Sequence, residues 1–273
     1  MKQLFLILIF SIFSFADNHI NLATVPWQSS EALQKMYNPL IKLIEGETGK
    51  KVNFLIARNY MELSKRIASK NVDIALFGAN SYVEAKELLG DKIVYLGTTM
   101  HPTDHYNSLI LTHKNSNIHT IQDLKNKNFA FTDVGSTSGY IYPNLMLYKE
   151  GIKNPNKFFK TITMLKKHNR IYDAIAKRSI DAGGASITVY NDAVKKNGDI
   201  YRILKKSDPI PNGPVIAGSH MGDKLIQELK DIFKNKKNKI YFKEYKSELT
   251  GISIKSDAYY NIVREAKSFK DNK

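Results

Sequence analysis

The chain has 273 residues, with 41 lysines and arginines against 26 acids, a formal net charge of +15 and no cysteine. The missing cysteines exclude a disulfide framework, a thiolate metal site and a lipid-modified cysteine. The lysines are scattered, and the densest run, Lys234-Asn235-Lys236-Lys237-Asn238-Lys239, holds no aromatic residue; it reads as a solvated helix end and loop, not as a nucleic-acid-binding element.

Met1, Lys2 and Gln3 precede an apolar run from Leu4 to Phe15, broken only by Ser11 and Ser14, and Ala16 then gives way to Asp17-Asn18-His19. This is the pattern of a secretory signal peptide, with small residues at Ser14 and Ala16 placing the cut before Asp17. The run is shorter than the roughly 20 residues that span a bilayer. Lys2 is the only charged residue removed, so cleavage takes the net charge from +15 to +14. The expected product is exported, soluble and without a lipid anchor.

Beyond it, apolar runs of strand length alternate with segments of helical spacing, which predicts an α/β protein with a mostly parallel sheet. Strands are predicted at 20–25, 52–57, 72–77, 93–98, 108–112, 129–132, 161–165, 180–182, 200–204 and 215–217. Asn38 and Pro39 read as a helix cap and first-turn proline, followed by Leu40, Ile41, Leu43 and Ile44 on one face and a stop near Gly49. Further amphipathic helices are predicted at 61–69 and 81–89. No internal repeat or low-complexity linker separates the halves. Chain crossings between them are expected at 106–111 and at 205–214, the latter stiffened by Pro209, Pro211 and Pro214. Two crossings imply one lobe from both ends of the chain, 17–107 and 208–273, and a second from 108–207.

The segment richest in chemistry is Phe129-Ala-Phe-Thr-Asp-Val-Gly-Ser-Thr-Ser-Gly-Tyr-Ile-Tyr-Pro143, a short strand feeding a hydroxyl-rich loop and then a helix. Ser136, Thr137 and Ser138 fall where unpaired N–H groups and the positive end of the helix dipole would meet an anion. Gly135 and Gly139 are expected to let backbone approach that ligand. An ordinary capping loop would carry the same residue types. The loop lacks the lysine of the Gly-x4-Gly-Lys-Ser/Thr pattern, and Thr137 stands where a Gly-x-Ser-x-Gly nucleophile elbow needs serine.

At this loop the sequence resembles the phosphonate- and phosphite-binding periplasmic proteins of ABC importers, the PhnD-like family, over nearly all of the chain after residue 16. The strongest likeness is Asp133 to Pro143; Val72-Asp-Ile-Ala-Leu-Phe-Gly78 and Ile180-Asp-Ala182 add to it in order and spacing. The resemblance implies a type II periplasmic-binding fold, two α/β lobes joined by two hinge crossings, that closes on its ligand. It implies ligand contacts from Tyr60, Tyr106, Ser136, Thr137, Ser138 and His168, with Trp27 as a cleft-wall or lobe-packing residue. Relatives that take aminoalkylphosphonates offer carboxylates to the ammonium, at positions aligned here with Thr188 and Gly213; Asp208 is nearby but offset. A small or uncharged phosphonate, phosphite or phosphate is the expected ligand, an ABC permease the expected partner, and no cofactor, metal or catalytic residue is expected. The rival readings are a binding protein serving a membrane sensor kinase and a periplasmic phosphohydrolase or esterase, for which no carboxylate partner of His168 stands at a recognisable spacing.

Overall fold

The computed structural model describes residues 18–245 and 247–271; the predicted signal peptide lies outside them. The first strand, β1 (His19–Thr24), leads into α1 (Ser30–Thr48), which is capped by Ser29 accepting from the Ala32 N–H at 3.2 Å. The start predicted at Asn38-Pro39 is therefore corrected, because Pro39 lies inside the helix. Proline costs the helix one backbone bond, but Leu33, Met36 and Tyr37 before it and Leu40, Leu43 and Ile44 after it are all buried, and burial of that unbroken stripe outweighs the loss. The helix ends at Gly49, whose φ of 67° is open to glycine at little cost.

Strand and helix then alternate through β2 (Lys51–Ile56), α2 (Tyr60–Ala68), β3 (Ile74–Leu76), α3 (Ala79–Leu89) and β4 (Ile93–Met100). A short β5 (His105–Tyr106) precedes β6 (Ser108–His113), β7 (Asn128–Phe131), α4 (Tyr142–Lys149), α5 (Pro155–Phe158), β8 (Thr161–Met164), α6 (His168–Ala176), β9 (Ala182–Ser186), α7 (Tyr190–Asn197) and β10 (Tyr201–Lys206). The chain closes with β11 (Ile210–Pro211), β12 (Pro214–Gly218), α8 (Asp223–Lys234), α9 (Lys239–Glu244), β13 (Gly251–Ser253) and α10 (Asn261–Asp271).

These strands form two main sheets, one of order β13-β4-β12-β3-β1-β2 and one of order β10-β6-β9-β7-β8. The expectation of mostly parallel pairing holds only in part. β1 is parallel to β2 and β3, and β7 to β8 and β9, but β12, β13, β6 and β10 pair antiparallel with their neighbours. Of these, β6, β10 and β12 flank the two passages between sheets, and β13 adds an edge strand beside β4. The first passage occupies 101–107, because 108–111, expected in the crossing, belong to β6. The two passages are bonded to each other: β5 pairs with β11, Asn107 donates to the Ser207 carbonyl at 2.8 Å, and the Ser207 hydroxyl accepts from the Ser108 N–H at 2.9 Å.

β9 corrects another expectation, since it begins at Ala182, two residues past the apolar start predicted at Ile180, and runs over Ala-Gly-Gly-Ala-Ser to Ser186. A side chain at Gly183 would fall 2.7 Å from Ile171, and one at Gly184 would fall 2.6 Å from Pro143. Strand identity there comes from close packing on both faces and not from β-branched residues. Each sheet is covered by its own apolar helices, and α10 packs against α3 beside one sheet and α4 beside the other. Among the described residues no helix is long and apolar enough to cross a membrane.

Candidate ligand-binding cleft

In each sheet the ends of the parallel strands point toward the other sheet, which is where open α/β sheets form crevices. β2 feeds α2, whose first residue is Tyr60; β3 feeds α3, capped by Gly78; β7 feeds the hydroxyl loop; and β8 feeds α6, whose first residue is His168. Four helix N-termini therefore meet one cleft of about 670 Å³, lined by residues of both lobes, among them Tyr60, Gly78, Ser136, Thr137, Ser138 and His168. Tyr106, on β5, lines it from the passage between the sheets. All six residues expected to contact a ligand are thus brought together.

The loop is tightly built. Asp133 accepts from Gly135 through its side chain and from Ser136 through its carbonyl, both at 2.9 Å. The Ser136 hydroxyl accepts from the Gly139 N–H at 3.1 Å, and the N–H groups of Ile141 and Tyr142 reach back five residues, to Ser136 and Thr137. This opening turn is wider than an α-helix and leads directly into α4. Ser136, Thr137 and Ser138 are 2%, 2% and 1% exposed. The two glycines also make room within the protein: a Cβ at Gly135 would lie 2.6 Å from Tyr60 Cβ, and one at Gly139 would lie 1.8 Å from Thr132 Oγ1. Gly135 admits Tyr60 of the opposite lobe, which lets the loop seat against it, and Gly139 admits Thr132 of the loop's own lobe.

Around the loop the donors are neutral. Burial holds the Tyr60 phenol well above its ordinary value, against the Ser136 side chain beside it, and burial likewise raises Tyr106, whose phenol meets Ser138 and Thr137. His168 is 3% exposed, and burial brings its imidazole down to about 4. Its Nδ1 accepts from the Ser186 N–H at 3.0 Å, so the neutral ring carries its proton on Nε2. The Trp27 ring meets the His168 ring edge-on at 6.5 Å, and the Trp27 carbonyl accepts from the His168 N–H at 3.2 Å, a backbone bond between the lobes.

Thr188 and Gly213 both line the cleft, and neither carries charge. Gly213 admits no side chain, since a Cβ would fall 2.0 Å from the Phe77 carbonyl oxygen. Asp208 is not among the lining residues. Sequence reasoning missed Asp192 and Glu248, which do line the cleft, and Asn80, which braces the loop. Asp192 stands one helical turn past Thr188, a spacing that could have flagged it; Glu248 had no such signal. Its carboxyl is raised by burial and by the Asp192 charge. No lysine or arginine lines the cleft among the described residues.

A family model described as ABC transporter, phosphonate, periplasmic substrate-binding protein matches residues 22–256. The phosphate-import protein PhnD of Mycolicibacterium smegmatis is 32% identical over 238 residues, 82% of this chain and 74% of its own. Among solved structures, a binding-protein component of an ABC phosphonate transporter from Pseudomonas aeruginosa aligns with TM-score 0.81 and 22% identity, over 93% of this chain and 86% of its own. PhnD1 of Prochlorococcus marinus, in complex with methylphosphonate, aligns with TM-score 0.79 and 20% identity, over 93% and 99%. At such identities the structures speak for the fold alone, the two-lobed periplasmic-binding architecture. The chain belongs to the family of periplasmic phosphonate-binding proteins of ABC transporters.

Proposed function

We propose that the cleft captures a small phosphorus oxyanion, a phosphonate, phosphite or phosphate, for delivery to an ABC permease. The observation that carries this reading is the convergence of four helix N-termini and three buried hydroxyls on one cleft that, among the described residues, has no lining lysine or arginine. Hydroxyl and N–H donors of Ser136, Thr137 and Ser138 would surround the oxyanion, with the phenols of Tyr60 and Tyr106 at its flanks and His168 Nε2–H across it. Hydrogen bonds to a charged acceptor are short and strong, and the helix ends supply partial positive charge without a fixed ion pair. Neutral donors also suit release, because opening the cleft returns each of them to water. The relatives named for phosphate import and for a methylphosphonate complex support the ligand class.

Closure would be a hinge motion about the paired passages at β5 and β11, with 17–107 and 208–273 moving against 108–207. Calorimetric titration with methylphosphonate, phosphite, phosphate and sulfate tests the reading. Saturable binding of at least one phosphorus oxyanion is expected; failure of all three to bind would overturn it.

A further inference from the structure

Asn80, the second residue of α3, is fully buried although it lies at a helix end between the lobes. Its backbone N–H donates to Thr137 Oγ1 at 2.8 Å, and its side-chain amide donates to the Gly135 carbonyl at 3.3 Å and to Glu84 at 3.1 Å. The first two bonds cross between the lobes, from the helix beside the six-stranded sheet to the hydroxyl loop of the other. Asn80 Oδ1 has no hydrogen-bond partner among the described residues.

We propose that Asn80 is the closure latch of this cleft, a positioning residue that grips Gly135 and orients the Thr137 hydroxyl toward the ligand. A hydroxyl has one proton to give and lone pairs to receive. With its oxygen accepting from the Asn80 N–H, Thr137 turns its proton away from α3, toward the cleft that it lines. The donor offered by one lobe is therefore set by the helix of the other, and only when the lobes meet. The unpaired Oδ1 supplies the opposing bias: closure buries a carbonyl that opening would return to water, so the empty closed form is disfavoured until ligand contacts outweigh the cost.

The proposal rests on the oxyanion reading for its ligand but not for its main readout. The chain has no cysteine, so Leu88→Cys on α3 and Lys177→Cys just past α6, both exposed, give a unique pair of spin labels, one per lobe. Inter-label distances are measured without ligand and with saturating methylphosphonate in the parent, Asn80→Asp and Asn80→Ala, together with melting temperature and binding kinetics. In an open cleft an aspartate in the first turn of α3 is well placed by the helix dipole, whereas in the closed cleft it is a buried charge beside Glu84 and a carbonyl. Asn80→Asp is therefore expected to keep or raise the ligand-free melting temperature, to populate longer distances without ligand, and to release methylphosphonate at least about tenfold faster. Asn80→Ala adds no charge; it removes the grip on Gly135 and, against that, the unpaired carbonyl, while the backbone bond to Thr137 stays. The two losses partly offset, so it should shift in the same direction but by less, about three- to tenfold, with association unchanged. Wild-type distances and release rates in Asn80→Ala would overturn the latch and leave any Asn80→Asp effect to charge repulsion. If the parent binds no phosphorus oxyanion, the ligand reading falls, and the ligand-free distances still decide the latch.

Discussion

Replacing His168 by glutamine separates the acid sensitivity of this histidine from the rest of the protein. The imidazole ionises near 6.5 in an unfolded chain, and burial brings it to about 4 in the fold. As pH falls below 6.5 the unfolded chain takes up a proton that the native state refuses until about 4, so the stability linked to His168 is complete above 6.5 and is lost on the way down to 4. At about pH 4.5 the loss amounts to roughly 2.5 kcal/mol, a large fraction of the 5–15 kcal/mol typical of a folded domain. Glutamine cannot titrate, yet its amide can accept from the Ser186 N–H and still offer a donor to the cleft. Urea midpoints at about pH 7 and about pH 4.5, followed by fluorescence of the single tryptophan, Trp27, should show the parent losing roughly 2.5 kcal/mol more than His168→Gln. His101, also brought to about 4 by burial, is present in both proteins and cancels. Saturating methylphosphonate should shrink the difference, because a bound anion favours the imidazolium. Superimposable pH profiles would refute the reasoning, meaning either that His168 is not buried as described or that it does not keep its neutral form.

In the hydroxyl loop, Thr137→Ala and Ser138→Ala should each weaken methylphosphonate binding about ten- to hundredfold with little change in melting temperature, whereas Ser136→Ala, which also removes the cap on Gly139, should lower both; lost stability with unchanged affinity in the first two would take them out of the site. 2-Aminoethylphosphonate should bind more weakly than methylphosphonate in calorimetry, since Thr188 and Gly213 offer its ammonium no charge; the reverse order would assign that role to Asp192 or Glu248. Burial alone would raise the Asp104 carboxyl, but His105, Lys255, Tyr259 and Ser253 together bring it down to about 2, which fixes the first passage to the C-terminal segment. Because water screens its half-exposed partners His105 and Lys255, Asp104→Asn should cost about 1 kcal/mol near neutral pH, below the full value of the shift, and its acid unfolding should lack the parent's loss of stability between pH 3.8 and about 2.

Local patterning carried much of this molecule. The Ser136-Thr137-Ser138 run after a strand marked the hydroxyl loop that lines the cleft, and Tyr60 and His168 stand at helix starts because apolar spacing ended the preceding strands where it did. Proline 39 misled because its local preference is worth less than the apolar stripe on either side of it, and the Gly-Gly strand β9 was illegible because its partners, Ile171 and Pro143, are distant in sequence.

An α/β chain and the residue types that converge on the cleft were legible along the chain, since helix caps, turn residues and hydrophobic period act over a few positions. What those residues do to one another depends on the folded arrangement: the Ser186 N–H sets the tautomer of His168, the Asn80 N–H turns the Thr137 hydroxyl, Tyr60 requires glycine at 135, and Asp192 and Glu248 bring carboxyl groups to the cleft where the aligned positions have none. Each of these depends on a partner from a separate strand or helix, and hydrogen bonds and burial act through distance in space, which a pattern of neighbours along the chain does not encode.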